Sequence, residues 1–295
     1  MRLHNCKYVL ATGTTGRYAG CDLLKHPEVN ELYCLWNCGF YSNQVQVFSS
    51  LLTLARHGIV PDKIDYSMGY KHFKKDPNRD LYPDFHQTNP SQEIEFYKEV
   101  EIPDANKCQL DLYDWDLYNQ IVKRYFNPSG VVTERWQLLS EKYDINPEET
   151  ISVLYRGTDK RTELELASPD EYFKVVTQLL EKNPTFKVLL QTDQVQIIEE
   201  WKQRLGNKLI FFQETPSTAS NSPIWDLMEK SGHDSTSWSQ WFDAALRCVS
   251  ECKYVVNHTG NVSFFMNLYR GNTEGVYQFN EFGYMPAHMY PEVES

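Results

Sequence analysis

The chain has 295 residues, 41% of them hydrophobic and 14% aromatic, which is enough for one large hydrophobic core or two medium ones. The net charge of −11, without a long lysine or arginine block, argues against nucleic acid or an anionic membrane as the main partner. We find neither a membrane span nor a signal peptide, and seven cysteines show no disulfide-like spacing. The sequence therefore predicts a soluble, cytoplasmic protein with reduced thiols.

The first half of the chain alternates strands and helices around an irregular middle. The predicted strands are 7–13, 31–37 and 61–68. The predicted helices are 42–58, 115–126 and 133–143. Between them, residues 70–110 are polar, rich in Pro, Asp and Tyr, and without a clear period.

The second half alternates more clearly. Its predicted strands are 151–157, 186–192, 208–213 and 253–258. Its predicted helices are 168–182, 195–205, 238–252 and 261–270. At the start of the first of these helices, Ser168 suits the N-cap, Pro169 the first turn and Glu171 a capping box. Strands that alternate with helices predict a parallel, doubly wound sheet.

The predicted architecture is α/β, with two Rossmann-like domains facing a central cleft at the carboxyl ends of the strands. We expect the domains to span residues 1–146 and 147–272. A C-terminal tail would follow over 273–295, with packing against the first domain as one expectation.

The segment "YRGTDKRTE" (155–163) follows a predicted strand and carries three cations and two carboxylates around a glycine. Arg156 can hold a phosphate through two parallel hydrogen bonds, and Lys160 adds a point charge. Gly157 lets a ligand approach the backbone, and Asp159 or Glu163 can accept a proton from an attacking hydroxyl. The alternative is a solvated loop whose charges pair with one another.

Several short motifs, in order, resemble the α-1,6-fucosyltransferase and nodulation fucosyltransferase group. The resemblance is carried by "YRGTDKRTE" followed by "SPDEYF", by "LLQTDQ" (189–194), by "WFDAALRCVSECKYVVNHTGNVSFF" (241–265) and, before a helix, by "CGFYSN" (38–43). The resemblance implies a GT-B fold, GDP-fucose as donor and inversion at the sugar carbon. It also implies a glycan acceptor on the N-terminal domain, no metal and no cofactor.

The resemblance also implies roles for particular residues. Arg156 would hold the donor's diphosphate, with Gly157 and Asp159 beside it. Lys160 would neutralise the departing GDP, and Glu163 would be the catalytic base. The other donor-binding residues would be Tyr172 near the donor, Asp193 and Asp243 at its base and sugar, His258, and Thr259, Gly260 and Asn261 at a phosphate-binding helix start.

Departures from the motifs leave alternatives open. Leu154 replaces a histidine, Gly157 an arginine and Gln194 an aspartate, and one residue fewer separates Lys160 from Glu163. Glu165 is thus a second candidate for the base, and a different nucleotide sugar is a second candidate for the donor. A non-catalytic glycan-binding or nucleotide-binding module on the same fold is the rival interpretation. Asp114 and Asp116 form a D-x-D pattern, which suggests a metal-binding site as the alternative to a metal-free enzyme.

Overall fold

The computed structural model describes residues 8–11, 30–95, 110, 113–158, 166–220, 224 and 234–279. By the density of contacts, these residues divide into two compact units. Unit 1 contains 8–11, 30–95, 110, 113–133 and 234–240, and unit 2 contains 134–158, 166–220, 224 and 241–279. Each unit is built on a parallel sheet, which confirms the predicted α/β class. The domain boundaries and the central cleft stay predictions.

Unit 1 carries a three-stranded parallel sheet in the order β1-β2-β3. Its strands are β1 (Tyr8–Ala11), β2 (Glu31–Cys34) and β3 (Lys63–Asp65), with a small antiparallel pair of β4 (His86–Gln87) and β5 (Asn127–Pro128). Its helices are α1 (Phe40–Arg56), α2 (Tyr82–Phe85) and α3 (Trp115–Tyr125). The described part of the middle segment, up to residue 95, packs with buried aromatic rings. The Phe40 ring lies 4.5 Å from that of Phe85 and 5.5 Å from that of Tyr70.

Unit 2 carries a five-stranded, wholly parallel sheet in the order β10-β9-β6-β7-β8. The strands are β6 (Thr150–Tyr155), β7 (Lys187–Thr192), β8 (Leu209–Ile210), β9 (Tyr254–His258) and β10 (Val276–Phe279). The helices are α4 (Gly130–Lys142), α5 (Pro169–Lys182), α6 (Val195–Leu205), α7 (Ser235–Glu251) and α8 (Asn261–Arg270). The first residues of α4 and of α7 belong to unit 1.

Helix α5 begins where its capping residues predict. The Ser168 hydroxyl accepts the Glu171 backbone N–H at 3.3 Å, and the Glu171 carboxylate accepts the Ser168 N–H at 2.7 Å, which confirms the capping box. Tyr172, Val175, Val176 and Leu179 line one face of the helix and are buried with β6 and β7 in one hydrophobic cluster.

The structure departs from the predicted elements at the edges of the sheet. Residues 276–279, predicted as part of a tail, form β10 and pair in parallel with β9. The strand predicted over 208–213 is limited to two residues in β8, because only Leu209 and Ile210 pair with β7. Helices α4 and α7 each begin three residues earlier than predicted. In the part of the chain that the structure describes, no helix combines the length and apolar character required to cross a bilayer.

Candidate functional site

A cavity in unit 2 lies at the carboxyl ends of β6 and β9, where α8 begins. In a parallel sheet with helical crossovers, ligands bind at this edge. The cavity is lined by Leu154, Arg156, Leu166, His258, Thr259, Gly260, Asn261, Val262 and Ser263. It brings together five of the predicted site residues: Arg156, His258, Thr259, Gly260 and Asn261.

Arg156 supplies the positive charge of this cavity among the described residues that line it. It follows the last residue of β6, so its backbone is held by the sheet. Its side chain is 34% exposed, so the guanidinium can reach solvent. Its Nε lies 3.7 Å from Asp193 Oδ2. A guanidinium has five N–H donors in a planar fork, a geometry that suits a planar or tetrahedral anion.

Asp193, directly after β7, accepts hydrogen bonds from the loop that contains Arg156. Its Oδ1 accepts the Gly157 N–H at 3.0 Å, and its Oδ2 accepts the Thr158 hydroxyl at 2.7 Å. Asp193 and Thr158 are both buried. The predicted donor ligand Asp193 thus fastens the loop, and it does not line the cavity. Thr158 carried no functional prediction, although a hydroxyl beside a turn glycine is a suitable partner for a buried carboxylate.

Gly157 has its predicted place beside Arg156, but a side chain covers it. A Cβ at this position would collide with Gln194 Oε1, and it would lie 2.7 Å from Gln194 Cδ and 2.7 Å from Tyr155 Cε1. Gln194 replaces an aspartate of the resembling motif, and Gly157 replaces an arginine. The two departures therefore occur at residues that touch.

The amino end of α8 supplies backbone donors to the same cavity. Gly260 is the N-cap with φ of 144°, a left-handed conformation that favours glycine, and no side chain among the described residues caps the helix. The first intrahelical bond runs from the Phe264 N–H to the Gly260 carbonyl, so the N–H groups before Phe264 have no acceptor within the helix. Such a terminus carries a partial positive charge that attracts anions.

His258 and Thr259 connect the sheet to this helix start. The Thr259 N–H donates to the Phe279 carbonyl at 2.8 Å, so the last residue of β10 fixes the segment between β9 and α8. His258 is buried, and its Nδ1 lies 3.2 Å from the Thr259 hydroxyl and from the Thr259 carbonyl oxygen. The imidazole is thus oriented by its neighbour and lines the cavity.

Two other predicted donor ligands lie away from the cavity. Tyr172 is 1% exposed in the hydrophobic cluster, where burial raises its pKa well above the ordinary value of 10.0. Asp243 is fully buried in α7 and accepts the Tyr269 hydroxyl at 2.8 Å and Arg247 Nε at 3.3 Å. These contacts give both side chains roles in the packing of unit 2. Their proposed contact with a donor stays a prediction.

The rest of the charged loop lies outside the described residues. This applies to Asp159, Lys160, Glu163 and the alternative base Glu165. Asp114, from the alternative metal pattern, caps α3 by accepting the Leu117 N–H at 3.1 Å. Among described side chains, no three His, Cys, Asp or Glu residues come together as a metal site.

The sequence matches no protein-family model, and no curated protein matches it either. Solved structures do match. A NodZ α-1,6-fucosyltransferase soaked with GDP-fucose aligns with a TM-score of 0.53 and 12% identity, over 87% of this chain and 97% of that chain. NodZ α-1,6-fucosyltransferase co-crystallized with GDP aligns with a TM-score of 0.50 and 12% identity, over 85% of this chain and 95% of that chain.

A selenomethionine form of the fucosyltransferase NodZ from Bradyrhizobium aligns with a TM-score of 0.48 and 12% identity, over 87% of this chain and 97% of that chain. At 12% identity the first two likenesses show the fold alone. The chain thus has an α/β fold with parallel sheets. More particularly, this is the GT-B type of fold found in these fucosyltransferases.

Proposed function

We propose that this protein is a glycosyltransferase that transfers fucose from GDP-fucose to a hydroxyl of a glycan. The observation that carries the proposal is the meeting of Arg156 with the uncapped amino end of α8 in one cavity. A guanidinium and a helix amino terminus together suit a diphosphate, because one binds it bidentately and the other presents several N–H groups. The fold is shared with fucosyltransferases, one of them soaked with GDP-fucose and another co-crystallized with GDP, and this supports the proposed donor.

In the proposed reaction the acceptor oxygen attacks the anomeric carbon of fucose from the face opposite the diphosphate. The new carbon–oxygen bond forms as the bond to the β-phosphate oxygen breaks, and GDP leaves with that electron pair. The acceptor's proton passes to a carboxylate, for which Glu163 is the candidate and Glu165 the alternative. Arg156, the α8 terminus and Lys160 offset the charge that develops on GDP. The anomeric centre is thereby inverted, and we propose that no metal is required.

A different nucleotide sugar is the second candidate donor. It is favoured by Gly157 and Gln194, since the amide of Gln194 occupies the space that a side chain at position 157 would need. At positions 156 and 157 this chain therefore has one arginine, whereas the motif it resembles has two. That change is consistent with a donor whose diphosphate receives fewer contacts from the protein, or contacts at other places.

The test is a donor panel in the presence of EDTA, using GDP-fucose, GDP-mannose and several UDP-sugars. We expect GDP-fucose to raise the melting temperature and to release GDP slowly, because water substitutes for the acceptor. A response to a UDP-sugar alone would replace the donor and keep the reaction class. No response to any of them would contradict the proposal and favour a glycan-binding module. Loss of activity in EDTA would contradict the metal-free mechanism.

Arg156→Ala is the decisive variant. We expect GDP to bind about tenfold more weakly or worse, since a hydrogen-bonded contact to a charged group is lost. The matched control is Arg204→Ala, because the Arg204 side chain is also 34% exposed and also paired with a carboxylate, that of Asp170. Arg204 does not line the cavity. Equal GDP affinity for the Arg156 variant and the wild type, measured by calorimetry, would contradict the proposal.

A further inference from the structure

Two consecutive residues at the end of β7 hold the loop after β6. The Asp193 carboxylate contacts all three residues of the described loop: Arg156 Nε at 3.7 Å, the Gly157 N–H at 3.0 Å and the Thr158 hydroxyl at 2.7 Å. Gln194, the N-cap of α6, covers Gly157 with its side chain. A loop fixed at three successive residues has little freedom to reorient its guanidinium.

The geometry of Asp193 matches a support and differs from that of a ligand. Its side chain is 9% exposed, and both oxygens are directed at the loop, Oδ1 to the Gly157 N–H and Oδ2 to the Thr158 hydroxyl. Its ion pair with Arg156 is made at Nε. Buried carboxylates that accept several hydrogen bonds are costly to replace, because each donor then loses its partner.

We propose that Asp193 is a positioning residue, which acts on the donor's diphosphate through Arg156 and makes no contact with the base or sugar. The inference rests on the proposed function, in which Arg156 holds the diphosphate. It assigns Asp193 a different role from the one that the motif resemblance implied. Gln194 completes the support by filling the space above Gly157.

Two physical effects of Asp193 on anion binding have opposite signs. Its negative charge near Arg156 weakens the attraction for a diphosphate, so neutralisation alone would strengthen binding. Its hydrogen bonds hold the loop, so their loss would weaken binding. Arg156 is one-third exposed, and the surrounding water screens the first effect, whereas the bonds to Gly157 and Thr158 are buried. We therefore expect positioning to dominate.

The experiment compares pyrophosphate with GDP, because pyrophosphate has neither base nor sugar. Calorimetric affinities are measured for the wild type, Asp193→Ala, Arg156→Ala and the double variant, with unfolding curves to verify the fold. The matched control is Glu214→Gln, another partly buried carboxylate, which accepts the Tyr143 hydroxyl at 2.9 Å and does not line the cavity. The Glu214 variant should bind both probes like the wild type.

If Asp193 acts through Arg156, Asp193→Ala weakens the binding of pyrophosphate and of GDP by the same factor, about tenfold. In the Arg156→Ala background, the second substitution then adds little, because its effect is transmitted by the missing side chain. Such coupling would not arise from a general loss of stability.

Other results overturn the inference. Weaker GDP binding with unchanged pyrophosphate binding would mean a direct contact with the base or sugar. Tighter pyrophosphate binding by Asp193→Ala would mean that charge outweighs positioning, and additive effects in the double variant would mean independent action. A wild type that binds pyrophosphate but no nucleotide would overturn the proposed function and leave this inference to be decided by pyrophosphate. A wild type that binds neither probe would overturn both.

Discussion

At the scale of single residues, the contact between Gly157 and Gln194 makes a stability prediction. Gly157→Ala places a methyl group against two buried side chains, those of Gln194 and Tyr155, and we expect a loss of about 1–3 kcal/mol in the free energy of unfolding. Combining it with Gln194→Ala should recover part of that loss. Gly130→Ala is the control, because nothing lies within 4 Å of a Cβ there. Chemical denaturation measures all four proteins, and an equal effect at both glycines would contradict the prediction.

A second stability prediction concerns the buried side-chain amide of Asn257. Asn257 in β9 is fully buried, and among the described residues neither polar atom of its side chain has a hydrogen-bond partner. An unsatisfied buried amide costs about 1–3 kcal/mol, so we expect Asn257→Val to raise the free energy of unfolding by about 1 kcal/mol. Asn267→Leu should have the opposite effect and lower the free energy of unfolding, because it removes the hydrogen bond that Asn267 Nδ2 donates to Gln278 Oε1 at 3.0 Å. Destabilisation by the Asn257 substitution in urea unfolding would indicate that the amide has a bonded water or ligand.

At the scale of elements, the capping box of α5 is a local device with a measurable contribution. Ser168→Ala removes the acceptor for the Glu171 N–H, and we expect a loss of about 1 kcal/mol in the free energy of unfolding. Ser168→Asp should keep most of that stability, since aspartate also caps helices and carries a charge suited to the amino terminus. The Ser168→Asp variant is therefore the control for Ser168→Ala. Equal melting temperatures for the two variants would show that the cap contributes nothing to stability.

Elements with strong local signals were predicted well from the sequence. Helix α6 has the predicted bounds, 195–205, and α5 begins directly after its predicted cap, because amphipathic period and capping are encoded within the element. Strand β10 was missed because it has only four residues, 276–279, and its pairing depends on β9, about 20 residues earlier in the chain. Edge strands of this length carry too little pattern to be recognised alone.

The candidate site was predicted in the same uneven way. Arg156 and residues 258–261 could be placed because the ends of parallel strands share one edge, and the structure brings them into one cavity. Motif order alone did not show which side chains are hydrogen-bonded to the predicted donor ligands Asp193 and Asp243. Asp243 is bonded by Tyr269, 26 residues further along the chain, and Asp193 by residues 35 and 36 positions before it. Such partners become visible only when the chain is folded.

At the scale of the whole molecule, the fold is retained where the sequence is not. The alignment with NodZ covers 87% of this chain at 12% identity. Parallel sheets need only apolar strands and amphipathic helices in the right order, and many sequences satisfy that pattern. A protein of net charge −11 can still bind an anion on such a fold, because the field within the cavity is set by nearby groups. In the described part of that cavity, these are Arg156 and the α8 terminus.

The acid stability of the molecule depends on carboxyl groups whose pKa values are shifted in opposite directions. Burial raises the pKa of Glu214 in unit 2, but the hydrogen bonds from Lys142 and Tyr143 outweigh it, so the pKa lies below the ordinary 4.5. Burial also raises the pKa of Asp84 in unit 1, and there the nearby Arg79 does not compensate, so the pKa lies above the ordinary 3.8. Glu214 therefore stabilises the fold most when it is ionised, and Asp84 when it is protonated.

These shifts predict opposite pH dependences for two conservative variants. Because the folded pKa of Glu214 is depressed, the wild type should be more stable than Glu214→Gln above pH 4.5, and the difference should disappear only as the pH falls below that value. Because the folded pKa of Asp84 is raised, the wild type should lose stability relative to Asp84→Asn as the pH rises from 3.8 through the folded pKa. Urea unfolding from pH 3 to pH 7 measures both differences, and slopes of the same sign for the two variants would contradict the assignment, since each group's charged form would then have the same effect on the fold.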